Sequence, residues 1–168
     1  MPAAYEQLTD LPAVLARARD LSLRTLVFDV EPLVAWWDTS QQALDQGIAE
    51  VLGSLDQVPG VQALVFATNS ARTPTVLPPV PGVRVSYLAS AGKPFRTAAY
   101  RGLPRPGAVI GDQLPTDGLL AYRLGFTFLH WDPRRAGVPL GPRLMRLLGR
   151  PVRPLFFRGA GAPGGTKS

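Results

Sequence analysis

Arg24-Thr-Leu-Val-Phe-Asp-Val-Glu-Pro-Leu-Val34 is the stretch that decides the fold. Residues 25–28 are β-branched, aliphatic or aromatic without interruption, and they stop at two carboxylates, Asp29 and Glu31. An unbroken apolar run of this kind suits a strand covered on both faces, as in a parallel sheet. Asp29 then falls where the strand leaves the sheet, at the carboxyl edge where open α/β folds place their ligands.

The same pattern recurs on either side. Residues 61–67 read as a second buried strand ending at Thr68-Asn69, and residues 83–87 as a shorter third. Residues 108–110 read as a fourth, ending at Gly111-Asp112, and residues 126–129 as a fifth. Helices are predicted over 8–20, with Thr9 or Asp10 as cap and Pro12 in the first turn, and over 40–56, where Ala43, Gly47, Ile48, Val51 and Leu55 share a face. Two more are predicted over 94–101 and 116–124, the latter closed by Gly125. Prolines 74, 78, 79 and 81 rule out a long helix after the second strand.

Five strands alternating with helices imply an α/β fold, a three-layer α/β/α Rossmann-like sandwich around a five-stranded parallel sheet. One helix fills the interval after the first strand and one the interval after the third, so no inserted cap domain is expected. The chain reads as one domain over residues 1–158, with a motif-bearing core at about 20–135 and a basic extension at 136–158. A flexible, glycine-rich tail is expected at 159–168.

Composition narrows the chemistry. There is no cysteine, hence no thiolate nucleophile or zinc–thiolate site, and the single histidine, His130, cannot build a His-rich metal centre. A hard cation held by oxygen remains. No run of eighteen uncharged apolar residues occurs, and the first residues carry no basic-then-apolar leader, so a cytoplasmic protein is expected. The net charge of +6 is concentrated at one end: eight of the 18 Lys and Arg, but only one of the 12 Asp and Glu, lie from Trp131 onward.

In a parallel sheet the strand ends converge, which gathers Asp29, Glu31, Thr68, Lys93, Asp112 and Asp117 at one edge. Carboxylates collected there repel one another unless a cation is bound. Mg²⁺ takes such oxygens and keeps positions for water or phosphate. Lys93 and the Thr68 hydroxyl would hold phosphoryl oxygens, Asp29 would be the nucleophile, and Glu31 would protonate the leaving group. The chain has no Gly-x-x-x-x-Gly-Lys phosphate loop. Lys93 also precedes Asp112, against the order of a two-component receiver domain.

The stretches FDVE, FATN, GKP and VIGDQLPTD, in this order and spacing, resemble the four motifs of the haloacid-dehalogenase phosphatase superfamily. Val109-Ile-Gly-Asp-Gln-Leu-Pro-Thr-Asp117 with Leu124-Gly125 is similar to subfamily IIIA, the YqeG-type proteins related to phosphatidylglycerophosphate phosphatases. The resemblance spans roughly residues 20–135. It implies strand order 5-4-1-2-3, Mg²⁺-dependent phosphomonoester hydrolysis through an aspartyl-phosphate on Asp29, and Glu31 as acid and base. It further implies Thr68, with Asn69, and Lys93 as phosphate ligands. The metal would be held by Asp29, the Glu31 backbone carbonyl and Asp112, with Asp117 in support.

The family pattern has Asp-x-Asp and a small polar residue where this chain has Asp29-Val-Glu31-Pro-Leu33. A carboxyl one methylene further out motivates the alternative: a catalytically impaired member that binds metal, phosphate or protein. An uncapped site suits large substrates such as a lipid head group, a phosphoprotein or a polynucleotide end, and a small phosphorylated molecule is also open. Residues 139–158, with a leucine face, an arginine excess and Phe156-Phe157, suggest contact with an anionic membrane surface. Packing of those leucines on the sheet is the simpler reading. The arginines lack interleaved aromatic platforms, which argues against nucleic acid. Trp36, Trp37 and His130 read as structural.

Overall fold

The computed structural model describes residues 3–131 and 157–159. Its centre is a parallel sheet of six strands, extended at one edge by a three-residue seventh: β1 (Ala3–Leu8), β2 (Thr25–Asp29), β3 (Ala63–Ala67), β4 (Arg84–Leu88), β5 (Gly107–Gly111), β6 (Thr127–Trp131) and β7 (Phe157–Gly159). The order is β4-β3-β2-β5-β6-β1-β7. Its first five members follow the expected order. β2 lies in the middle of them, Phe28 level with Phe66 of β3 and with Ile110 of β5.

Among the described residues three helices flank the sheet: α1 (Leu11–Asp20), α2 (Gln41–Gly53) and α3 (Leu119–Leu124). Side chains alternate across a strand, and the core divides accordingly. Leu26, Phe28, Leu64, Phe66 and Ile110 pack with Val14, Leu15, Leu44 and Ile48 of α1 and α2. Val27, Val65, Val109 and Phe128 pack on the other face with Tyr100 and with Leu120 and Ala121 of α3. The three layers are therefore present. Asp10 caps α1 by accepting from the Ala13 N–H at 2.9 Å, and Ser40 caps α2 through Ala43.

The expectation of five strands falls short by β1 and the short β7. Ala3-Ala-Tyr-Glu-Gln-Leu8 has no β-branched residue and is rich in types depleted from strands. It is extended because β6 and β7 pair with it on either side, aligning Tyr5 with Phe128 and with Gly159. Leu8, expected at the start of a helix, ends this strand instead.

The helix predicted over 94–101 is reduced to one 3₁₀ turn, Ala98–Tyr100. Phe95 to Ala99 contain no buried side chain, so no apolar stripe holds a helix there. The helix predicted over 116–124 opens with a wider π-helical turn, Leu114–Gly118, before α3, and Gly125 ends it in the left-handed conformation at φ +65°. Gly159, assigned to a flexible tail, closes β7, and residues 157–158, read with the membrane-contacting end, are its other members. The rest of that amphipathic reading and of the tail lies outside the described residues. No helix among the described residues is long and apolar enough to cross a membrane.

Gly47, in the middle of α2, faces the loop after β2 at such short range that a Cβ would run into the Val34 carbonyl. Replacing a helical glycine by alanine ordinarily gains about 1 kcal/mol. Here the backbone collision reverses the sign, and Gly47→Ala is expected to cost about 1–3 kcal/mol by overpacking. Urea unfolding measures it; a stabilised variant would contradict the close approach.

Candidate functional site

Each strand end contributes one part. β2 ends in Asp29, β3 runs into Thr68, β5 runs into Asp112, and Lys93 follows β4 after a short loop. These side chains and that of Asp117 are all buried, an unusual density of charge for a protein interior.

Lys93 holds the group together. Its Nζ donates to Asp29 Oδ1 and to Asp117 Oδ1, both at 2.7 Å. Its backbone is fixed by Asn69, which accepts the Lys93 N–H at Oδ1 (2.8 Å) and donates from Nδ2 to the Lys93 carbonyl (3.1 Å). Asn69 was expected as a phosphate ligand; it borders the cavity, but its amide is committed to placing the lysine.

Asp117 reaches the lysine because the π-helical turn brings it across the end of β5. Its other oxygen accepts the Gln113 N–H at 3.3 Å. A Cβ at position 111 would collide with the Asp117 carboxyl, so glycine is required there. Carboxylate oxygens of Asp29, Asp112 and Asp117 lie within 4.8 Å of one another, close enough to share one metal ion. Three acids with one lysine make a donor set of oxygens with net negative charge, which fits a hard divalent cation. Asp112 is positioned through its carbonyl, 3.1 Å from His130 Nε2, while His130 Nδ1 lies 2.8 Å from the Tyr5 hydroxyl. His130 is thus a structural residue, and the unpredicted strand β1 braces the site through it.

Burial raises the Asp29 pKa well above the usual carboxylate range; Asp117 adds to the effect and Lys93 opposes it. For Lys93, burial alone would lower the pKa, but the carboxylates of Asp117 and Asp29 outweigh it and hold the ammonium protonated.

Glu31 is 5% exposed and its carboxylate is not one of the three that cluster. Thr68 Oγ1 donates to its Oε2 at 2.5 Å and Ser70 Oγ to its Oε1 at 3.1 Å. Its side chain is therefore no partner of the aspartate cluster. Arg72 Nη1 stands 3.9 Å from Oε1 and donates to the Trp36 carbonyl, and Nη2 donates to the carbonyls of Thr39 and Ser40. That guanidinium ties the loop after β2 to the loop after β3. Ser70 and Arg72 were not anticipated; their only signal was proximity to Thr68. Asp29, Glu31, Thr68, Asn69, Ser70, Lys93 and Trp37 line one cavity of about 120 Å³, closed by Gln113 and Thr116. Trp37 is thus at the mouth as well as packed on Trp36, their rings 5.5 Å apart.

Compared with protein-family models, curated proteins and solved structures, the chain matches none.

Removing Lys93 leaves two buried aspartates without their cation. Lys93→Met is expected to cost about 3–5 kcal/mol in the presence of a chelator, as for other broken buried ion pairs. Added Mg²⁺ should recover part of the loss, and thermal unfolding with and without the ion reads both effects. A stability unchanged by the substitution would show that the ammonium is not what balances these charges.

The raised Asp29 pKa has a definite sign. Folded Asp29 keeps its proton to higher pH than the unfolded chain, whose reference is 3.8, so the folded state binds more protons within that window. Stability contributed by this group is full below the unfolded value and lost as pH rises through the folded one. Metal-free wild type should therefore lose stability relative to Asp29→Asn as pH rises above about 4. Denaturant unfolding across that range tests it, and a constant difference would refute it.

Proposed function

We propose that this protein is a Mg²⁺-dependent phosphomonoester hydrolase of the haloacid-dehalogenase type, its small described cavity opening without a cap domain. The observation that carries this reading is the Lys93 ammonium bridging Asp29 and Asp117 at the carboxyl edge of a parallel sheet, with Thr68 lining the same cavity. Asp29, Asp112 and the Glu31 backbone carbonyl would hold Mg²⁺, with Asp117 in support. When bound, the ion would neutralise charge on the phosphoryl oxygens and the carboxylates.

The chain's own groups supply the remaining chemistry. An Asp29 oxygen attacks phosphorus while the bond to the leaving oxygen breaks, and the Glu31 carboxyl gives that oxygen its proton. The aspartyl-phosphate is then hydrolysed by water, whose proton returns to Glu31. Lys93 keeps Asp29 oriented and offers positive charge to the transferring group. Phosphoryl oxygens must also take over hydroxyls that now serve Glu31. Thr68 has one proton to donate, so binding phosphate there releases the acid from its present partner.

That same contact favours a second reading, in which Glu31 fills the oxyanion position and the protein binds metal or protein without turnover. One experiment separates the two. Wild type with Mg²⁺ is assayed on a panel of phosphomonoesters beside Asp29→Asn, Glu31→Gln and Glu31→Asp. Hydrolysis is expected to vanish in Asp29→Asn with the fold intact and to fall about 10²–10⁴-fold in Glu31→Gln. Activity equal in wild type and Asp29→Asn would exclude the mechanism. No turnover in wild type or Glu31→Asp would favour the binding role.

A further inference from the structure

Beside the 120 Å³ cavity lies a second depression of about 400 Å³, bordered by Asn69, Ser90, Gly92, Lys93, Phe95 and Arg96. The two share Asn69 and Lys93, so whatever leaves the phosphoryl position on that side enters the larger space. Their sizes differ in meaning. Small-molecule pockets run to about 300–1,000 Å³; the polar cavity admits little beyond a phosphoryl group, whereas the neighbouring depression has room for a leaving group.

Phe95 is 75% exposed, the most exposed large apolar side chain among the described residues, although it follows the buried Lys93 by only two residues. Its backbone N–H is held by the Gly92 carbonyl at 2.9 Å, and Arg123 Nη1 donates to its carbonyl at 2.9 Å and to that of Pro94 at 2.8 Å. The loop that displays the ring is thereby pinned at both ends. Gly92, at φ +65°, lets the Arg96 stem lie against the backbone, since a Cβ there would meet Arg96 Cγ and Cδ. An exposed aromatic ring on a held backbone and a guanidinium one residue apart are both surfaces on which flat rings stack. Phe95 is the one large apolar side chain bordering the depression.

We propose that this depression is a leaving-group subsite for phosphomonoesters carrying a flat aromatic ring, a nucleobase or a phenol, with Phe95 as its stacking platform. The inference rests on the phosphohydrolase reading and specifies the substrate class.

The test compares wild type, Phe95→Ala and Phe95→Trp on adenosine monophosphate, phosphotyrosine and glycerol 3-phosphate, with Mg²⁺ present. Phe95→Ala should raise KM for the aromatic esters by roughly 5- to 150-fold, the range for loss of one stacked ring. It should leave kcat and glycerol 3-phosphate unaffected, and Phe95→Trp should restore KM. A gain confined to one aromatic ester identifies base or phenol. If glycerol 3-phosphate serves wild type as well as the aromatic esters, or if Phe95→Ala alters all three alike, the subsite is wrong while the hydrolase stands. Binding is measured separately by calorimetry in Asp29→Asn. If no ester is hydrolysed by wild type, the hydrolase reading fails alone. The depression then stands as a ring-binding site, without a leaving-group role, when adenosine monophosphate binds at least 5-fold more tightly than inorganic phosphate and loses that margin in the Asp29→Asn, Phe95→Ala double variant, and falls when the two ligands bind equally.

Discussion

Lys93 Nζ lies 2.7 Å from two carboxylates, and all three side chains are buried. Charges at such spacing interact strongly where the dielectric is low, and the lysine opposes the burial that raises the Asp29 pKa. Much of the surrounding structure serves this contact. Asn69 fixes the lysine backbone, the π-helical turn carries Asp117 inward, and Gly111 leaves the volume that its carboxyl occupies. The site is an electrostatic balance first and a cavity second.

A second arrangement, centred on Glu31, stands beside it with different chemistry. The hydroxyls of Thr68 and Ser70 and the more distant Arg72 guanidinium face this carboxylate, and Arg72 also grips three carbonyls of the neighbouring loop. Two acidic groups are thus kept apart by giving each its own partners. In the proposed reaction one is the nucleophile and the other the proton carrier of the same step, and the separation of partners allows it.

The central strands were legible because burial on both faces leaves continuous apolar runs, as in Thr25–Asp29 and Ala63–Ala67. The acids, the threonine and the lysine were legible because parallel strands bring their carboxyl ends together. What the sequence concealed depends on contacts made after folding. Ala3–Leu8 becomes a strand through its neighbours, and nothing in its alanines, glutamate and glutamine announces it. The direction of Glu31 was equally hidden, since it follows from which hydroxyls lie across from it. Ser70 and Arg72 are ordinary loop residues until the loop after β2 is placed beside them.

β1 is the first strand along the chain, yet its partners are β6, with Tyr5 aligned to Phe128, and β7. On a ribosome it therefore waits without a partner through the synthesis of four other strands. The segments between β2 and β5 can meanwhile pair with near neighbours in sequence, and local contacts form fastest. Tyr5 in turn supports His130, which holds the carbonyl of Asp112. Residues 3–8, made before the other described strands, are consequently among the last to settle, and the acidic centre acquires its final brace only when they close onto strands made after them.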